Sequence, residues 1–126
     1  MGESNFGLLR QHEICRQLHI LLEEKNIYLN PNLTLAELSK TLGTNSTYIS
    51  RIINTHYHCN FRTLLKKYRI TYSQKLLQTE EECSINRLAK QCGFLSRSTF
   101  YAAFREITQL TPAEYRLLHK MGKLFL

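Results

Sequence analysis

A chain of 126 residues with 43% apolar content can bury the core of one domain, or of two very small ones. Residues 1–33 carry three basic and four acidic side chains, residues 34–126 carry fourteen and six, and aspartate is absent, for a formal charge of +7. This composition excludes broad disorder and suits a polyanionic partner for the basic part.

No apolar run approaches the ~20 residues that span a bilayer, and the N-terminus lacks a signal-peptide pattern. A soluble, cytoplasmic protein without a membrane partner is therefore expected. Cys15, Cys59, Cys83 and Cys92 form no C-x-x-C, so they read as reduced thiols.

Residues 1–7 are expected to be disordered. From about Leu8 to Asn26, Ile14, Leu18, Leu21 and Leu22 make one helical stripe with Glu23, Glu24 and Lys25 on the polar side. Tyr28-Leu-Asn-Pro31-Asn breaks it, because proline biases the residue before it away from helix.

A helical unit is then written twice. Leu35, Leu38, Ser39 and Gly43 recur as Ile85, Leu88, Ala89 and Gly93 at an offset of 50. Asn45, Ile49 and Ile53 recur as Ser96, Phe100 and Phe104 at an offset of 51, which puts one extra residue in the second turn. Each copy reads as a short helix, a glycine stop, a polar cap and a second helix, the pattern of a helix-turn-helix.

In the first copy Thr34-Leu-Ala-Glu37 predicts a capping box, and Asn45 predicts the cap of the second helix. Ile49, Ile52 and Ile53 form its buried set, leaving Thr47, Ser50, Arg51 and Asn54 on other faces. Those residues suit a groove reader and equally an ordinary solvated face. His56-Tyr-His58-Cys59 lacks the geometry and the fourth ligand of a metal site, so no metal and no cofactor are expected.

Asn60 predicts the cap of a long helix to about Gln78, with Phe61, Leu64, Leu65, Tyr68, Tyr72, Leu76 and Leu77 on a broad apolar face. Its cations read mainly as a solvated face, while Arg69 borders the apolar positions and suits a buried role. Glu80-Glu-Glu82 marks an acidic joint, and Ser84 and Ser96 cap the two helices of the second copy. There Phe100, Ala103, Phe104 and Ile107 predict the core stripe, with Arg97, Ser98, Tyr101 and Arg105 outside it. Thr111-Pro112-Ala-Glu114 starts a closing helix to about Lys120 that buries Tyr115 and Leu118.

The span from about Leu33 to Arg116 resembles the DNA-binding domain of the AraC/XylS family of bacterial transcription regulators. The matching pieces are Leu35-Ala-Glu-Leu-Ser, Tyr48-Ile-Ser-Arg51, Asn60-Phe61 and Tyr68-Arg69-Ile70. Later come Ser73 to Leu77, Ile85 to Ala89, Gly93-Phe94, Ser98 with Phe100, Phe104-Arg105, and Thr111-Pro112 with Tyr115-Arg116.

The resemblance implies an all-α fold of about seven helices over residues 8–126. It divides into a first helix-turn-helix subdomain at about 8–59, a linker helix at about 60–78 and a second subdomain at about 79–120. It further implies contacts to double-stranded DNA from Asn45, Thr47, Ser50, Arg51 and Asn54 in one major groove. In a second groove the implied contacts come from Arg97, Ser98, Tyr101 and Arg105.

A linker helix from Asn60 to Gln78 spans roughly 25–30 Å, against about 34 Å between successive major grooves, so a bipartite site is expected. The chain departs from the family at Ala102, which stands where Arg51 stands in the first copy. It departs again at His58 and Gln109, where the family usually has glycine, so those two turns are expected to be built differently.

Members usually join this domain to a sensory or dimerising module, which some 30 leading residues are too few to form. A fragment of a longer regulator is the favoured reading and a stand-alone regulator the other, with the transcription machinery as a further partner. The functional expectation is sequence-specific DNA binding for transcription regulation, against a degenerate helix-turn-helix that docks another protein. No catalytic residue is expected: caps account for Glu37 and Glu114, and the histidines lack a partnered nucleophile or carboxylate.

Overall fold

The computed structural model describes residues 2–79 and 84–122, with side chains from Gly7 onward. Among these residues every regular element is helical. The α-helices are α1 (Gly2–Glu23), α2 (Leu35–Thr41), α3 (Ser46–Tyr57), α4 (Phe61–Thr79), α5 (Ile85–Gln91), α6 (Arg97–Thr108) and α7 (Pro112–Lys120). A short 3-10 helix, Ile27–Leu29, follows α1. The acidic joint Glu80-Glu-Glu82 and Cys83 lie outside the described residues. The chain divides into two compact units, Met1–Leu64 and Leu65–Leu126, with the boundary inside α4.

In the first unit α1 buries Ile14, Leu18 and Leu22, and Leu21 is half-buried. The helix starts at Gly2 rather than near Leu8. Once Leu8–Glu23 is helical, each added residue gains a hydrogen bond without a new nucleation cost. The Arg10 guanidinium donates to the carbonyl of Gly43 at 2.8 Å, tying α1 to the turn between α2 and α3. The break after α1 carries more than its residue types suggested. Asn26 takes a left-handed conformation at φ 50, and Tyr28 turns inward, buried, with its hydroxyl donating to Asn26 Oδ1 at 3.2 Å.

Thr34 caps α2 by accepting from the Glu37 amide at 3.1 Å, and its hydroxyl donates to the Glu37 carboxylate at 3.1 Å. Leu38 and Leu42 are buried, as are Ile49, Ile52 and Ile53 of α3. Ser39 is a buried polar exception. Its Oγ lies 2.6 Å from the Leu35 carbonyl and 3.2 Å from Ser46 Oγ, so burial leaves the hydroxyl bonded and links α2 to the start of α3.

The second unit repeats this arrangement with larger side chains. Phe94, Phe100, Phe104 and Tyr115 form a continuous run of ring contacts, with centroids 5.3, 5.7 and 5.6 Å apart in tilted or edge-on geometry. Such pairs contribute about 0.5–1.5 kcal/mol each beyond the area they bury. Ile70, Leu77, Leu88, Ala89, Cys92 and Ala103 complete the core. Gln78 reaches in from α4 to donate to the Tyr115 hydroxyl at 2.7 Å, so the buried phenol is satisfied.

Arg69 is the expected exception among the cations of α4. It is half-buried, its guanidinium stands 5.9 Å from the centroid of the Phe94 ring, and desolvation lowers its pKa.

Three expectations need correction here. Ile107 is 36% exposed rather than part of the core, because Tyr115 covers Phe104 and Ile107 lies one turn beyond that contact. Leu118 is only half-buried. The turns at His58 and Gln109 are also not built differently. Both residues adopt the left-handed conformation themselves, at φ 57 and 61, and their amides bond the carbonyls of Asn54 and Arg105.

Candidate nucleic-acid interface

Helices α3 and α6 are each 12 residues long and begin with a side-chain cap. Asn45 Oδ1 accepts from the Tyr48 amide at 2.9 Å, and Ser96 Oγ accepts from the Thr99 amide at 3.1 Å. Each is preceded by a glycine at positive φ, 71 for Gly43 and 91 for Gly93, which ends the shorter helix before it. Where the first unit runs directly from Thr44 to its cap, the second inserts Leu95, which is 70% exposed.

Neither helix has an acidic residue in its first turn, whereas α2 carries Glu37 and α7 carries Glu114 there. The positive ends of the α3 and α6 dipoles therefore keep their attraction for an anion.

On α3 the sequence-derived residues divide into two neighbouring rows. Thr47 and Arg51 are exposed at i, i+4, and Ser50 and Asn54 follow one step round, half-buried and exposed respectively. Asn54 donates through Nδ2 to the Ser50 carbonyl at 2.9 Å, which holds its amide against the helix. Asn45 is exposed, but its oxygen is occupied as the cap, which leaves its amide nitrogen as the donor. The first row continues at the same i+4 spacing to Thr55, also exposed.

On α6 Arg97, Ser98, Tyr101 and Arg105 are all exposed, Tyr101 at 38%. Arg97, Tyr101 and Arg105 share one row, and Ser98 and Ala102 form the next, which ends in Glu106. Glu106 would repel phosphate, but Lys66 of α4 holds it at 3.1 Å. Both ends of that pair meet solvent, so its worth is a fraction of a kcal/mol at most. Among the described residues no three histidine, cysteine or carboxylate groups come together to hold a metal.

A helix-turn-helix domain family matches residues 38–117, which takes in both of these helices and the elements that carry them. The chain belongs to the AraC-type helix-turn-helix family.

An uncharacterized HTH-type transcriptional regulator of Staphylococcus aureus (strain MSSA476) is 30% identical over 90 residues, 71% of this chain and 12% of that protein. The TCP pilus virulence regulatory protein of Vibrio cholerae is 32% identical over 80 residues, 64% of this chain and 28% of that protein. The chain thus spans a small part of the length of these relatives.

Solved structures agree on the fold. The C-terminal domain of the two-component response regulator yesN from Fusobacterium nucleatum superposes with a TM-score of 0.67 at 28% identity, covering 89% of this chain and 98% of that one. The DNA-binding domain of AdpA, a global transcriptional factor in complex with a target DNA, gives 0.75 at 20% identity, covering 87% and 95%. No helix among the described residues is long and apolar enough to cross a membrane.

Proposed function

We propose that the chain binds double-stranded DNA sequence-specifically to regulate transcription, with α3 and α6 as its two reading helices. The observation that carries this reading is the pair of equivalent, side-chain-capped helices, each exposing a row of polar and cationic residues free of first-turn acids. Membership of the AraC-type family and the net charge of +7 support it. Phosphate contacts supply affinity and fix register, while base edges supply choice.

In this reading Thr47, Ser50 and Arg51, with Asn45 and Asn54 at the margins, serve one half of the site. Arg97, Ser98, Tyr101 and Arg105 serve the other. Because the two helices carry different side chains, the site is bipartite and non-palindromic. Since the chain spans 12% of a staphylococcal relative, we place it within a longer regulator, with a sensory or dimerising module and contact to the transcription machinery.

Selection of bound fragments from random duplex DNA, followed by a salt titration, tests the function. A regulator of this kind yields a defined site, and its affinity for random duplex falls steeply as counterions compete. Absence of affinity at every salt concentration would return the chain to the protein-docking reading.

A further inference from the structure

The two reading helices differ in where their long side chains stand. At the shared offset of 51, Ser46, Ser50 and Asn54 of α3 become Arg97, Tyr101 and Arg105 in α6, each longer. In the neighbouring row Thr47 becomes Ser98, and Arg51, the one long side chain of that row, becomes Ala102. Both Arg51 and Ala102 are exposed, so the exchange is not one of core packing.

An alanine side chain has neither donor nor acceptor. It can discriminate among base pairs only through an apolar contact, and the thymine methyl is the apolar group that a base pair presents in the major groove. Arg97 and Arg105 are exposed on the row beside it, where their charge can meet a phosphate backbone. A short side chain at the centre lets the helix approach the base edges closely.

We infer that Ala102 is a specificity-determining residue that selects thymine in the half-site read by α6, through contact with the thymine methyl. The inference rests on the DNA-binding reading above. It makes the two half-sites chemically unlike: one chosen by the donors of Arg51, the other by an apolar contact.

The test replaces each thymine of the selected duplex in turn by deoxyuridine, which lacks only the methyl. One methyl-sized contact is worth about a fourfold change in affinity. The expected result is that penalty at one or two thymines of the α6 half, and its loss in the Ala102→Gly variant.

Ala102→Arg is the second variant, since an exposed arginine is a good helix former and leaves the core untouched. Repeating the selection with it should exchange the thymine–adenine pair for one presenting guanine. Tolerance of deoxyuridine throughout that half, an equal penalty in Ala102→Gly, or retention of thymine by Ala102→Arg would each overturn the inference while leaving DNA binding intact. Failure to select any duplex would instead overturn the functional reading on which it rests.

Discussion

His58 and Gln109 hold the same backbone conformation at the ends of α3 and α6, with φ of 57 and 61. A side chain there crowds its own carbonyl, at a cost of roughly 1–2 kcal/mol that glycine avoids. Glycine gives back part of that gain because its unfolded state is freer. His58→Gly and Gln109→Gly should therefore each stabilise the protein by about 0.5–1 kcal/mol in urea unfolding. A loss of stability in either would mean that the side chain makes a contact worth more than the strain.

Buried and exposed faces are distinct on α6. Phe104 is fully buried between the Phe100 and Tyr115 rings, so Phe104→Ala should cost about 3–5 kcal/mol. Arg97 is exposed, so Arg97→Ala should leave the melting temperature nearly unchanged while lowering DNA affinity. Unfolding of Arg97→Ala would show that the faces of the helix are wrongly assigned.

The cap of α7 predicts an acid dependence. Glu114 accepts from the Thr111 amide at 2.8 Å, and this bond with the Thr111 hydroxyl holds its pKa below the ordinary 4.5. A lowered carboxylate pKa stabilises the fold fully above the unfolded value, and that contribution is lost as pH falls through the folded one. Melting curves of the wild type and Glu114→Gln should thus differ most above pH 4.5 and converge as the solution is made more acid. A constant gap across that window would assign the effect to packing.

Local chemistry explains what could be read in advance. Thr34, Asn45, Asn60, Ser84, Ser96 and Thr111 are each legible as caps, and each accepts from the amide three residues on. A cap depends on neighbours within one turn, so residue order suffices. The bond from Arg10 to Gly43 joins residues 33 positions apart, and no local pattern encodes it. The exposed faces of α3 and α6 followed from periodicity, but which exposed residues meet a base is decided by the DNA, whose sequence the chain does not spell out.

Arg51 has the fork of donors that bonds guanine O6 and N7 together. Arg51→Ala should cost about 1–3 kcal/mol on the selected site and relax the choice at one base pair. Competition binding against random duplex checks it. Equal weakening on both duplexes would assign Arg51 to phosphate instead.

In the proposed mode of binding, one chain contacts two patches of a single site, one with α3 and one with α6. Binding of the chain to its selected duplex, before and after five base pairs are inserted between the patches, tests this most directly. Half a turn of added DNA carries one major groove to the far side, since patches on one face lie about 10 base pairs apart. Most of the affinity should be lost, with protection surviving over one patch only. Unchanged binding and an unchanged footprint would contradict it, and would leave one helix reading DNA alone.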